Sequence, residues 1–196
     1  MTKRIVIGVT GGLASGKTVV ANLFKELGAA KIDADEIAHD LLANDENVRT
    51  GIVDLFGESI LGSKGVDRRK LASVVFFDKQ KLRALCGVLH PKILKRIKSE
   101  ADEVEESIVV VDAPLLFETH LEEYVDVSII VNATREIQIE RAMARGIPEK
   151  EASNIIENQM PFLEKERLAD YVIDNKSDRV TIRKGVEEIW RKLKKT

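Results

Sequence analysis

The chain has 196 residues, with 31 Lys and Arg against 33 Asp and Glu; a net charge of −2 excludes a global basic field for nucleic acid or anionic membrane. Its 44% hydrophobic content is enough for a full core, yet no apolar run approaches the ~20 residues of a membrane span. Cys86 is the only cysteine, which excludes a disulfide framework and makes a cytoplasmic enzyme the natural expectation.

Residues 4–10, Arg4-Ile5-Val6-Ile7-Gly8-Val9-Thr10, predict a short buried strand. Residues 19–28 predict a helix that stops at Gly28. Between them, Gly11-Gly12-Leu13-Ala14-Ser15-Gly16-Lys17-Thr18 fits G-x-x-x-x-G-K-[ST], the phosphate-binding P-loop. Backbone N–H groups of such a loop surround a phosphate chain, and the helix N-terminus adds partial positive charge. Lys17 is placed to reach the β- and γ-phosphates, and Thr18 to offer its hydroxyl to Mg²⁺. Lys3-Arg4 leads through a short apolar run straight into this loop, so no signal peptide is expected.

Further short apolar runs follow at 29–32 (ending at Asp33), 107–111 (ending at Asp112), 126–131 and 171–173. They alternate with helical patterns, which predicts an α/β fold with a parallel sheet of five strands. The stretch between Asp33 and Ser107 is far longer than an ordinary crossover. It holds helical patterns at 36–43, 46–56, 69–77, 79–89 and 93–105, broken at Gly62-Ser63-Lys64-Gly65. This predicts an inserted helical subdomain for a second substrate. Residues 146–168 are polar and contain Pro148 and Pro161, as a mobile lid would. A last helix is expected from Asp178, as its N-cap, to Lys194, with a stripe of Val180, Ile182, Val186, Ile189, Trp190 and Leu193. Arg191, Lys192, Lys194 and Lys195 read as its solvated end, where the dipole favours cations. The 33% charged content leans toward a thermophilic source.

Asp33-Ala34-Asp35 stands at the carboxyl end of the second strand, the edge where open α/β sheets bind ligands. One carboxylate can take a proton from an attacking hydroxyl, and the other can cap the next helix. Asp33 lies nearest the expected γ-phosphate and is the favoured functional group, with Asp35 either an N-cap or a site residue. Asp112, closing an apolar strand beside a P-loop, is a candidate to hold Mg²⁺ or its waters. Arg141 and Arg145 are one helical turn apart, and their guanidinium groups can meet charge on a transferring phosphoryl group. Asn175-Lys176-Ser177-Asp178 fits the guanine-reading N-K-x-D of GTPases. The D-x-x-G that should accompany it is absent, because Asp112-Ala113-Pro114-Leu115 has no glycine and its proline removes an amide. His39, His90 and His120 lack metal-ligand spacing. On composition alone His90 is structural, with Pro91 expected at the start of a helix.

Taken together, the chain resembles the dephospho-CoA kinases. The likeness rests on Gly8-Val9-Thr10-Gly11-Gly12 with Ser15-Gly16-Lys17, Asp33-Ala34-Asp35, Asp67-Arg68 with Leu71, His90-Pro91, and Asp112-Ala113-Pro114-Leu115-Leu116-Phe117-Glu118. Gln138 with Arg141 and Arg145, Asn158-Gln159-Met160-Pro161, and Ala169-Asp170 with Ile173-Asp174-Asn175 extend it over nearly the whole chain. The resemblance implies ATP-Mg²⁺ phosphorylation of the 3′-hydroxyl of the ribose of dephospho-CoA. It implies a P-loop kinase core (1–34, 106–145 and 169–196), a helical CoA-binding insertion (35–105) and a lid (146–168). Asp33 would be the base, and Lys17 and Arg141 would complete the catalytic set. ATP would be bound by the P-loop with Arg145, and by Asn175 near adenine. Asp35, Arg68, His90 and the block Leu115, Leu116, Phe117 and Glu118 would lie near dephospho-CoA. Two departures stand out: Ala14 where the family usually has Gly, and Lys176 after Asn175 where it often has a small residue. Ala14 would be strained at positive φ, so the backbone there is expected to tolerate a Cβ. Two other readings remain, a nucleoside monophosphate or sugar kinase and a nucleotide-dependent switch. The His-Pro and Pro-Leu-Leu-Phe-Glu blocks do not fit the first, nor the missing glycine the second. A monomer is the expected state, with ATP and dephospho-CoA as its partners.

Overall fold

Ile5, Val6, Ile7 and Val9 run without polar alternation, so their strand needs cover on both faces. The computed structural model, which describes residues 4–62, 65–75, 78–176 and 179–195, puts that strand, β1 (Ile5–Gly11), at the centre of a parallel sheet. Helix α1 (Lys17–Glu26) follows, then β2 (Ala30–Asp33), α2 (Ala34–Asn44) and α3 (Glu46–Phe56). A two-residue pair, β3 (Leu61–Gly62) and β4 (Gly65–Val66), precedes α4 (Arg68–Val75) and α5 (Lys79–Glu103). Strand β5 (Ile108–Asp112), β6 (Val127–Asn132), α6 (Arg135–Ala144), α7 (Glu149–Asn158), α8 (Phe162–Leu168), β7 (Tyr171–Asp174) and α9 (Arg179–Leu193) complete the order. The expectations at Ser63, Lys64, Phe76, Phe77, Ser177 and Asp178, including the Asp178 cap, fall outside the described residues.

The chain divides into two compact units, Met1–Asp33 with Glu100–Thr196, and Ala34–Ser99. In the first, among the described residues, a five-stranded sheet has the order β2-β5-β1-β6-β7, and all its pairs are parallel. β1 connects to β2, which lies beyond β5, so the strand order reverses around β1 and its carboxyl end opens at a switch point. Val20, Leu23 and Phe24 of α1 pack with Val186, Ile189 and Trp190 of α9 over Ile7 and Val9. Phe24 and Trp190 meet tilted by 50° at 6.4 Å, within the range of favourable aromatic pairs. Val180, counted in the predicted stripe of α9, instead stays exposed. Gly28 ends the first helical segment as expected, at φ +105.

The second unit buries Leu42, Val48, Ile52, Ile60, Leu71, Val75, Leu85 and Leu89 together. Asp45 accepts from the Val48 amide at 2.9 Å as N-cap of α3, and Lys92 Nζ lies 2.6 Å from the same carboxylate. The Lys92 hydrogen bond, helped by the Val48 amide, holds the Asp45 carboxyl below the usual range. One expectation fails here. The patterns at 79–89 and 93–105 are one helix, α5, with Pro91 inside it. Proline forfeits one backbone hydrogen bond and crowds the preceding turn. Leu85 and Leu89 before it, with Ile93 after it, bury against the same cluster and carry the helix through.

Candidate active site

At the carboxyl end of β1 the chain folds back over its own glycines. Ser15 N donates to Gly12 O at 3.1 Å, and Val20 N to Gly16 O at 3.2 Å as α1 begins. Ala14 has φ 52 and Gly16 φ 97, whereas Ser15 between them does not have positive φ. Alternation of this kind turns successive N–H groups toward one concavity, an anion nest. A Cβ on Gly11 would sit 2.3 Å from Ser15 Oγ, and one on Gly16 2.0 Å from Asn175 Nδ2, so neither position has room for a side chain. Ala14 does occupy the left-handed region, where an L-residue loses about 1–2 kcal/mol. Its methyl is buried with Ala142 and Ala152, and Leu13 and Ile147 pack on them, which offsets part of that strain. Lys17 opens α1 with no acidic residue in the first turn, so a cation stands at the end of a helix that favours anions.

Two carboxylates face this loop from neighbouring strands. Asp33 on β2 is in register with Asp112 on β5. Lys31 Nζ lies 3.9 Å from Asp33 Oδ2 and 3.9 Å from Asp112 Oδ2. Lys31 had no place in the sequence reading; it shares a face with Asp33 because residues two apart on a strand do. Asp112 is buried, and loss of hydration raises its pKa, with the Asp33 charge adding to the rise. A hydrogen bond from Thr18 and the positive charges of Lys17 and Lys31 oppose it. Among the described residues Asp112 Oδ1 is buried without a hydrogen-bond partner. An orphaned carboxylate oxygen with a hydroxyl on the same group suits a hard cation that keeps its other places for water and phosphate, as Mg²⁺ does. No group of three or more His, Cys, Asp or Glu among the described residues forms an all-protein metal cage. Asp35, one of the two expected roles for which was the N-cap, instead sits exposed in the first turn of α2, which begins at Ala34.

Of the two arginines, Arg141 makes contacts at the loop. Its Nη1 lies 3.4 Å from Ser15 O, and its Nη2 lies 3.3 Å from both Asn175 O and Asn175 Oδ1. Arg145, expected one turn along the same helix face, is the exposed C-cap just past α6. Asn175, expected near adenine, is buried, and its Nδ2 donates to Ser15 O at 2.6 Å. Its side chain therefore faces loop backbone and a guanidinium rather than an open cleft. Lys176 turns outward to Asp174, 3.2 Å away.

The block at 115–118 divides by burial. Leu116 and Phe117 are fully enclosed, and the Leu116 side chain fills the space beside Gly8. Both side chains are part of the core, so any contact with the expected substrate would have to come from their backbone. Leu115 and Glu118 are half-buried. Glu118 Oε1 pairs with Lys165 Nζ at 2.7 Å and accepts from Met160 N at 3.2 Å. Lys165 is only 1% exposed, and its Nζ also lies 3.4 Å from Pro114 O. The region expected to be a lid is thus fastened at its far end, and Gln159 Oε1 fastens it again by accepting from the Leu13 amide at 2.9 Å. Lys165 lies in the charged run of α8 with nothing in the sequence to set it apart. Lys165→Met leaves a carboxylate without its cation, so chemical denaturation should show a loss of about 3 kcal/mol. Adding Glu118→Gln should recover most of it. A single-mutant loss below about 1 kcal/mol would mean the pair behaves as an ordinary surface bridge.

Arg68, His90 and Asp35 belong to the second unit. Arg68 is the exposed first residue of α4, next to Asp67, whose carboxylate accepts from the Arg69 and Lys70 amides. His90 is half-buried within α5, just before Pro91.

A phosphate loop with its lysine, two registered carboxylates and a converging arginine form the apparatus of a P-loop kinase. The family model described as dephospho-CoA kinase matches residues 5–180. The chain belongs to the dephospho-CoA kinase family. A dephospho-CoA kinase of Carboxydothermus hydrogenoformans is 41% identical over 194 residues, covering 96% of this chain and 94% of that protein. Among solved structures, a Thermus thermophilus protein is similar with a TM-score of 0.83 at 32% identity, covering 97% of this chain and 98% of that one. A dephospho-CoA kinase from Campylobacter jejuni is similar with a TM-score of 0.66 at 25% identity, covering 97% of each chain. The dephospho-CoA kinase family is thus shared over the two units together.

Proposed function

We propose that this chain transfers the γ-phosphoryl group of ATP to the 3′-hydroxyl of the ribose of dephospho-CoA, giving CoA and ADP. The family relationship over 96% of the chain carries this reading. The 3′-oxygen attacks the γ-phosphorus, and the bond from that phosphorus to the β,γ-bridging oxygen breaks. The hydroxyl proton passes to Asp33, which stands half-buried at the end of β2. Loop amides and Lys17 hold the β- and γ-phosphates, and Arg141 meets charge on the equatorial oxygens. Mg²⁺ would be held through Asp112 and the Thr18 hydroxyl and supplies charge neutralisation along the phosphates. Arg145 is read as a more distant ATP contact. The unit Ala34–Ser99 is read as the CoA-binding subdomain, with Asp35, Arg68 and His90 near the acceptor and Leu115 and Glu118 bordering it. Residues 146–168 are read as the lid. No described helix is long and apolar enough to cross a membrane, and the reading is of a cytoplasmic monomer.

The test is a panel of acceptors with ATP. Dephospho-CoA should exceed AMP, adenosine and shikimate in kcat/KM by at least about 10²-fold, below the roughly 10⁴-fold that a site with dedicated polar contacts can reach. Binding energy from the pantetheine arm aligns a distant hydroxyl, so truncating the arm should lower kcat as well as raise KM. Phosphorus NMR of the product should place the new phosphate on the 3′-oxygen. Equal rates for AMP and dephospho-CoA, or phosphate on another oxygen, would overturn the proposal in favour of a nucleotide kinase.

A further inference from the structure

The peptide group is planar and trans, so its C=O and N–H point in opposite directions. Whatever fixes the Ser15 carbonyl therefore also fixes the Gly16 amide. Asn175 Nδ2 donates to Ser15 O at 2.6 Å, the shortest of the contacts on that carbonyl, and the side chain is 4% exposed. Its other amide atom, Oδ1, accepts from Arg141 Nη2 at 3.3 Å. The orientation of the amide is determined from both sides, because exchanging N and O would set oxygen against carbonyl and nitrogen against guanidinium. Its backbone is fixed as well: Asn175 N donates to Asn132 O at 2.7 Å, continuing the line of β6 and β7. Gly16 completes the fit, since a Cβ there would overlap Asn175 Nδ2 at 2.0 Å. The missing side chain serves the left-handed backbone and also leaves room for the asparagine.

We infer that Asn175 is a positioning residue of the phosphate loop: it holds the Ser15 carbonyl so that the Gly16 amide points toward bound phosphate, and it sets Arg141 against the same peptide. The inference rests on the nucleotide-binding half of the proposed function and is independent of the acceptor. It assigns Asn175 to the phosphate end of the nucleotide. Contact with the base and contact with the loop make opposite demands on one test ligand, inorganic pyrophosphate, which has no base.

The experiment measures binding of Mg²⁺-pyrophosphate and Mg²⁺-ADP by calorimetry, in the full-length protein without acceptor. Hydrogen exchange of the peptide covering residues 11–18 is followed in the same samples. Asn175→Asp keeps the size of the side chain and removes the donor; Asn175→Ala removes the whole amide. Both should weaken pyrophosphate and ADP by the same factor, about tenfold for one lost charge-orienting hydrogen bond, with Asp at least as damaging as Ala. Loop amides should exchange faster in the ligand-free variants. In turnover, KM for ATP should rise while KM for the acceptor stays unchanged. Loss of ADP binding with pyrophosphate binding and loop exchange unaltered would overturn the inference and return Asn175 to the base. Normal binding of both ligands would overturn it too. If Asn175→Asp does not fold, as judged by circular dichroism, Asn175→Ser carries the same comparison. Failure of the wild-type protein to bind either ligand would instead count against the nucleotide-binding reading.

Discussion

Lys17→Ala should lower kcat by about 10²- to 10³-fold, the loss typical of removing one charge-stabilising donor from a preorganised site. The fold should survive intact. Lys17 is the first residue of α1, and no acidic side chain shares that turn. A cation there opposes the helix dipole, while its attraction for the buried Asp112 carboxylate works the other way. It is retained where Lys17 and Lys31 both act on Asp112, at the edge of the sheet where phosphate would bind. Removing the ammonium should therefore leave the melting temperature little changed while turnover collapses. Steady-state kinetics beside a thermal melt checks both halves. A folded variant with near-normal kcat would remove Lys17 from the catalytic set. A variant that loses kcat in proportion to its stability would point to a structural lysine instead.

Local chemistry made some parts of this molecule legible in its sequence. The strands could be read because short β-branched apolar runs favour a sheet, and all five became sheet strands, although the edge strand β7 leaves Val172 exposed. The P-loop could be read because its glycines answer to backbone geometry: Gly16 has a positive φ and no room for a Cβ. Ala14 shows the limit of that logic. Its left-handed backbone is held by packing against Ala142 and Ala152, which lie far away in the chain. Pro91 shows a second limit. A proline reads as a helix start, yet burial on both sides of it outweighed one lost hydrogen bond. Lys31, Lys165 and Asn175 mark a third. Each is a polar residue whose meaning comes from a long-range partner, respectively Asp112, Glu118 and the Ser15 carbonyl. Leu116 and Phe117 lie in a block read from its motif, and the structure adds that the core encloses both side chains.

Asp33→Asn should reduce kcat by about 10²- to 10⁴-fold, the usual contribution of a positioned base, with KM for ATP little changed. The substitution keeps the shape of the side chain and removes the charge that takes the proton. The neighbourhood gives the change its specificity. Asp112, in register on β5, is the buried carboxylate bonded to Thr18, and so the better placed of the two to serve a metal. Asp33 is less enclosed, and Lys31 lies 3.9 Å from both carboxylates. A base and a metal ligand should separate in kinetics. Asp112→Asn should raise the Mg²⁺ concentration needed for half-maximal rate, whereas Asp33→Asn should leave it in place and lower the plateau. Asp35→Asn is the comparison, since Asp35 is proposed near the acceptor and not at the transferred proton. Its carboxylate is exposed in the first turn of α2, where it favours the helix by roughly 0.3–1 kcal/mol, so its loss should cost some stability and raise KM for the acceptor before it lowers kcat. A larger fall in kcat for Asp35→Asn than for Asp33→Asn would exchange their roles. An effect of Asp33→Asn confined to ATP affinity would make Asp33 a nucleotide or metal ligand and leave the base to be found elsewhere.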